Sequence, residues 1–230
     1  MKEFLYDSAS KMSEMITAHP GLVMMLPRFG IELGFGDKSI GEVCRLHGVD
    51  AGFFLLMCNV YTFDNYVPTA HVIDSTDLTR LVDYLHRSHQ YYVEKRLPHI
   101  ERHLQHMASA LPDRVATVFM HFFSTYKNEV VAHFGHEEER VFPHIEALQR
   151  GHSDDSYQID AFLASHSNIE DKLDDLLQII FKYLPPQAMG DDAISVVYDI
   201  LQLSHDLRKH SLIEEKILVP YVTHLERTVS

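Results

Sequence analysis

The stretch His133-Phe134-Gly135-His136-Glu137-Glu138-Glu139-Arg140-Val141-Phe142-Pro143 decides the fold, because its pattern returns as His210-Ser211-Leu212-Ile213-Glu214-Glu215-Lys216-Ile217-Leu218-Val219-Pro220. Both read His-x3-Glu-Glu-x4-Pro. On an α-helix, positions i and i+4 share one face about 6 Å apart along the axis. Each motif therefore presents an imidazole and a carboxylate side by side. Each pair also interrupts an apolar stripe. The first stripe runs Val115, Phe119, Phe122, Tyr126, Val130, His133, Glu137, Val141, His144 and Leu148. The second runs Val196, Ile200, Leu203, Leu207, His210, Glu214, Ile217, Tyr221 and Leu225. A stripe at that spacing is the buried face of a helix, so both polar pairs point into a core.

Two further stripes lie outside the motifs. One is Leu78, Val82, Leu85, His89, Val93, Leu97 and Ile100. The other is Ile159, Phe162, His166, Ile169, Leu173, Leu176, Ile180 and Leu184. Each is broken mid-helix by a histidine; His86 lies at the edge of its stripe, whereas His89 lies on it. Leu111-Pro112-Asp113, the segment 151–155 and the segment 185–190 separate four helix-forming stretches, about 76–109, 114–149, 157–184 and 191–227. The pattern predicts an all-α, up-down-up-down four-helix bundle over residues 69–230. Residues 1–68 are cut short by Pro20, Pro27, Gly30, Gly34, Gly36, Gly48 and Gly52, which predicts a small helical N-terminal domain. Ser39 and Asp50 read as its N-caps, Phe53 to Met57 as its core, and Asp64 to Pro68 as a linker.

The polar pairs carry the chemistry. A carboxylate without a partner in an apolar interior costs several kcal/mol, so two of them call for a compensating cation. The candidate metal ligands are His89, His133, Glu137, His166, His210 and Glu214. Four imidazoles and two carboxylates exceed one tetrahedral zinc. They suit two metals about 3.5 Å apart with each Glu bridging. Mixed nitrogen and oxygen ligation with open positions favours iron, with manganese as the alternative. Two ferrous ions with this set carry the same net charge as two ferric ions with an added oxo bridge, so a buried site can cycle between them. Glu129 and Asp206, each four residues before a motif histidine, either orient the imidazoles or lie on the surface. Glu138, Glu139 and Glu215 are expected to be solvated, and His99, His103, His106 and His144 to be surface or packing residues.

Composition sets the outer limits. Acids outnumber bases 33 to 20, a net charge of −13, which repels phosphate backbones and anionic lipid; neither nucleic acid nor membrane is expected as a partner. The longest uncharged stretch, about 51–63, is too short to span a bilayer. Cys44 and Cys58 do not form a Cys-x-x-Cys pair. Sparse cysteine and an N-terminus that does not read as an export signal predict a cytoplasmic protein.

On the two His-x3-Glu-Glu-x4-Pro motifs and the isolated histidines before each, the chain resembles hemerythrin-like di-iron bundles. It is more closely similar to the repair-of-iron-centres family, which restores damaged iron–sulfur clusters after oxidative or nitrosative stress. The resemblance implies two Fe ions, oxo- or hydroxo-bridged when oxidised, held by His89, His133, Glu137, His166, His210 and Glu214. It implies O2, NO or peroxide as a small ligand and damaged iron–sulfur proteins as partners. The function implied is cluster repair or iron donation, or else gas binding or redox sensing without repair. Phe29-Gly30-Ile31-Glu32-Leu33 and Gly48-Val49-Asp50 match the small domain that precedes the bundle in this family. The family's adjacent cysteine pair is replaced here by Gly34 and Phe35.

Overall fold

The computed structural model describes residues 6–152, 157–159, 162, 169–185 and 190–229. Among these the secondary structure is helical, with one isolated bridge between Lys11 and Ser39 and no strand. The chain divides into two compact units, one of residues 1–88 with 209–230 and one of residues 89–208. The fold class is the expected one, all-α with a hemerythrin-like helical bundle.

The first unit begins with α1 (Met12–Ala18), two short 3-10 turns (Pro20–Met24 and Leu26–Phe29), α2 (Ile40–Leu46) and α3 (Ala51–Thr62). The predicted caps are present. Ser39 Oγ accepts from the Glu42 backbone N–H at 3.3 Å, and the Ser39 N–H donates to Glu42 Oε2 at 2.9 Å, a reciprocal capping box. Asp50 Oδ1 accepts from the Phe53 N–H at 2.8 Å. Phe53, Phe54, Leu56, Met57, Cys58 and Val60 of α3 are buried, so the apolar run forms core, as its composition predicts. Phe29 packs edge-on against Phe53 and Phe54. Gly30 ends the second 3-10 turn at φ +68°, a conformation that glycine enters without strain. Among the described residues no helix is long and apolar enough to cross a membrane.

The long helices follow. The first is α5 (Leu78–Tyr91), entered from the single turn α4 (Ala70–Asp74) and continued as α6 (Leu97–Ala108). The second is α7 (Asp113–His136), continued as α8 (Phe142–Gln149). α9 (Ile169–Tyr183) and α10 (Asp191–Ile213) come next, and α11 (Val219–Val229) continues α10. In the second unit α6, α7, α9 and α10 enclose a shared core that includes Leu104, Phe119, Phe123, Tyr126, Leu173, Leu176, Val196, Ile200 and Leu203. Seven of these lie on the stripes; Leu104 extends the first stripe by one turn, and Phe123, not Phe122, is the fully buried residue of the second, Phe122 being only partly buried.

Each of three helices is interrupted by one π turn: Tyr92–Arg96, Glu137–Val141 and Glu214–Leu218. In each case the next residue is followed directly by a proline, as Leu97-Pro98, Phe142-Pro143 and Val219-Pro220. Proline has no N–H to donate, and its ring crowds the carbonyl four residues back. The residue before each proline then donates one step further, five residues back: Leu97 to Tyr92, Phe142 to Glu137 and Val219 to Glu214. A π turn carries one extra residue and tends to occur at functional sites. The sequence predicts a matched bend from Pro143 and Pro220; what the structure shows at each is a matched π turn, with a third before Pro98.

The last helix belongs to the first unit. Lys209, 6% exposed, pairs with the Asp64 carboxylate. Lys216 Nζ donates to the backbone carbonyls of Asp64 and, at 3.0 Å, Tyr66. The predicted linker is thus held by two ammonium groups on either side of Glu214.

Candidate metal centre

The π turns place the two candidate acidic ligands. Glu137 and Glu214 are each the first residue of such a turn, with the motif histidine one α-helical turn earlier. His133 Nε2 lies 2.8 Å from Glu137 Oε1, and His210 Nε2 lies 3.0 Å from Glu214 Oε1. The two motifs therefore repeat in geometry as they do in sequence. Glu137 is 1% exposed, Glu214 0% and His210 3%; these carboxylates are as deeply buried as the leucines around them.

His89 completes the cluster in the second unit. Its Nε2 lies 3.0 Å from Glu137 Oε2, and its Nδ1 lies 2.7 Å from Glu138 Oε1. The ring is stacked on Phe134 and Phe142, with centroids 4.2 and 5.5 Å away. Two aromatic faces and a carboxylate fix its orientation. Of the two histidines on the first stripe, His89 is 4% exposed and His86 is exposed. The structure brings His89, His133 and Glu137 together, and His210 and Glu214 together. His166 lies outside the described residues.

Glu138 corrects the expectation that it is solvated. It sits on the helix facing His89 and accepts the Nδ1 proton, the carboxylate–histidine arrangement that raises the basicity of a ligand imidazole. Reading along one helix cannot find such a partner, because the pair is formed across two helices. The two acids considered for that role, or for the surface, are placed differently from each other. Glu129 pairs with Lys172 on the surface. Asp206 is 2% exposed, and its backbone carbonyl accepts from Tyr92 Oη at 3.3 Å. Glu139 and Glu215 are exposed, as expected.

The electrostatics of the Glu137 cluster fit a cation. Neither Glu137 oxygen accepts a hydrogen bond, despite the two imidazole nitrogens at 2.8 and 3.0 Å. With Nδ1–H of His89 donated to Glu138, its Nε2 turns a lone pair toward a carboxylate oxygen. Two lone pairs at 3.0 Å repel unless a proton or a metal ion lies between them. Neutral imidazoles and carboxylate oxygens are ligands for first-row divalent metals.

The two cysteines are placed to be inert. Both are buried and unbridged. Burial, with a smaller contribution from Asp50, pushes the Cys44 thiol up to about 11. Burial raises Cys58 well above the ordinary range. Gly34, at the place of the resembled family's cysteine pair, has φ +96°, where a side chain is strained.

Comparison with known proteins agrees with this chemistry. The iron-sulfur cluster repair protein ScdA of Staphylococcus haemolyticus (strain JCSC1435) is 20% identical over 216 residues, covering 91% of this chain and 96% of the relative. The match therefore extends into the N-terminal helices. The hemerythrin HHE cation binding domain matches residues 80–223, a span that contains His89 and both His-x3-Glu motifs. With more than half of its length matched in that way, the chain belongs to the hemerythrin HHE cation-binding domain family.

Proposed function

We propose that this chain is a non-haem di-iron protein of the oxidative and nitrosative stress response, acting in repair of iron–sulfur clusters or in iron donation. The residues that would hold the metal are His89, His133, Glu137, His166, His210 and Glu214. The observation that carries the reading is the buried Glu137 carboxylate, which accepts no hydrogen bond while two imidazoles face it. The repeat of the same His–Glu geometry in the second motif supports a two-metal site, and the repair protein ScdA supports the biological role. Iron bound there supplies one-electron chemistry and an open coordination position for O2, NO or peroxide. The protein's own part is to exclude water through Phe134 and Phe142 and to hold the His89 proton on Nδ1 through Glu138.

Protein loaded anaerobically should contain about two irons per chain, by the ligand count. Glu137→Ala and Glu214→Ala should each lose iron while circular dichroism shows unchanged helicity. A wild type that cannot be loaded with iron anaerobically overturns the reading.

A second reading, reversible gas binding or redox sensing without repair, is favoured by one feature. The resembled family's cysteine pair is replaced by Gly34 and Phe35, and Cys44 and Cys58 are buried with raised pKa. Incubating the loaded protein with an oxidatively damaged iron–sulfur enzyme separates the two. Recovery of enzyme activity selects repair; tight reversible NO binding without recovery selects sensing.

A further inference from the structure

A second group of metal-ligand side chains lies on the surface of the second unit, and none of its members belongs to the centre described above. His99 and His103 are an i, i+4 pair on α6, with ring centroids 4.1 Å apart. Both face Asp199 of α10. His103 Nδ1 is 2.9 Å and His99 Nε2 is 3.4 Å from the same oxygen, Asp199 Oδ2. The three donor atoms all lie within 4.8 Å of one another. The other oxygen is occupied: Arg96 donates from both terminal nitrogens to Asp199 Oδ1 at 3.3 Å, and also to the Asp199 carbonyl at 3.2 Å.

We propose that His99, His103 and Asp199 form a shallow, exchangeable site for a divalent first-row transition metal. Geometry carries the argument first. Nitrogen and oxygen ligands at 2.0–2.2 Å from a metal stand about 3.0 Å apart at right angles and about 3.4 Å apart at the tetrahedral angle. The observed 2.9 and 3.4 Å are those spacings, so a cation needs little rearrangement to enter. The carboxylate is oriented beforehand, because Arg96 fixes one oxygen and leaves the other as a monodentate ligand.

Donor chemistry and access point the same way. Two imidazoles and one carboxylate with open positions suit zinc, ferrous iron or cobalt rather than magnesium or calcium. Asp199 is 15% exposed, but His99 and His103 are 36% and 41% exposed. His99 also lines an open surface cavity of about 510 Å³. Water can fill the remaining coordination positions, and an ion can leave as readily as it arrives. The nearby His106 pairs with Asp192 at 3.0 Å and stands outside the set.

The test is an anaerobic titration of the iron-loaded protein with Co2+, followed by its visible ligand-field absorption and by equilibrium dialysis. One saturable equivalent beyond the bound iron is expected. His103→Ala and Asp199→Asn should each weaken that equivalent at least about tenfold, with iron content unchanged; Asp199→Asn also lowers the melting temperature, because it removes the charge paired with Arg96. His99→Ala should weaken it likewise, and His106→Ala should leave it intact. Absence of a saturable Co2+ equivalent in the wild type overturns the proposal. Equal Co2+ binding by the His99→Ala/His103→Ala double variant overturns it as well. Because these variants leave the Glu137 centre untouched, failure here is distinct from failure to load iron.

Discussion

Glu138 shows what a single carboxylate contributes when it faces the back of the imidazole of His89, a proposed ligand. Its contact with His89 Nδ1 at 2.7 Å selects one tautomer and directs Nε2 toward Glu137. Glu138→Gln keeps the size and loses the charge; iron affinity should fall about 10- to 100-fold with helicity intact, measured by competition with a chelator. The cysteines give a second expectation. The folded protein holds the Cys44 proton up to about 11, against an ordinary value of 9.0. The folded state therefore binds more protons than the unfolded state between those values. Stability is fully present below about pH 9 and declines as pH rises toward 11. Chemical denaturation on either side of that point should show the loss, and native protein should resist thiol-specific reagents until unfolded. At this scale the sequence was legible wherever the signal ran along one helix. His133 with Glu137 and His210 with Glu214 follow from spacing alone, and His89 is separated from His86 by its place on the stripe. Glu138 and the grouping of His99 and His103 with Asp199 were not legible, because each joins residues on separate helices whose facing is a product of packing.

Among the elements, the π turns tie local backbone chemistry to the ligands. Glu137 and Glu214 open two of them, and the proline that follows removes the N–H that would otherwise close an α turn. Pro143→Ala restores that donor. The segment should relax to α-helix, turn Glu137 away from His89 and lower iron affinity about tenfold or more, while thermal stability holds or rises by a few degrees. Iron stoichiometry read beside a melting curve checks both halves. Ser39→Ala removes the capping box of α2 and should cost about 1 kcal/mol of stability without altering iron content. The helices themselves were well marked: the stretch 114–149 is realised as α7, its π turn and α8. The widening of the turn was not readable, since a proline after a helical stripe is compatible with a kink, a stop or a π turn. Packing on both sides of Pro143 keeps the helix going and leaves the π turn as the solution.

For the molecule as a whole, the grouping into units does not follow the order of the chain. Residues 209–230 pack with residues 1–88, and the second unit is the stretch between. The join is partly ionic, through Lys209 with Asp64 and Lys216 with the Asp64 and Tyr66 carbonyls. Asp64→Ala leaves the buried Lys209 ammonium without that carboxylate and should cost about 1.5 kcal/mol, read from a denaturant midpoint. Composition and hydropathy could not foretell this pairing, because Asp64-Asn65-Tyr66 has the character of an ordinary polar connection. The discontinuity bears on synthesis. A nascent chain can close the unit of residues 89–208 once that stretch has left the ribosome, but the earlier-made residues 1–88 must wait for the last helix. The second His–Glu pair lies within residues 209–230, so the proposed capture of metal by both motifs waits until residues 89–208 have already been made.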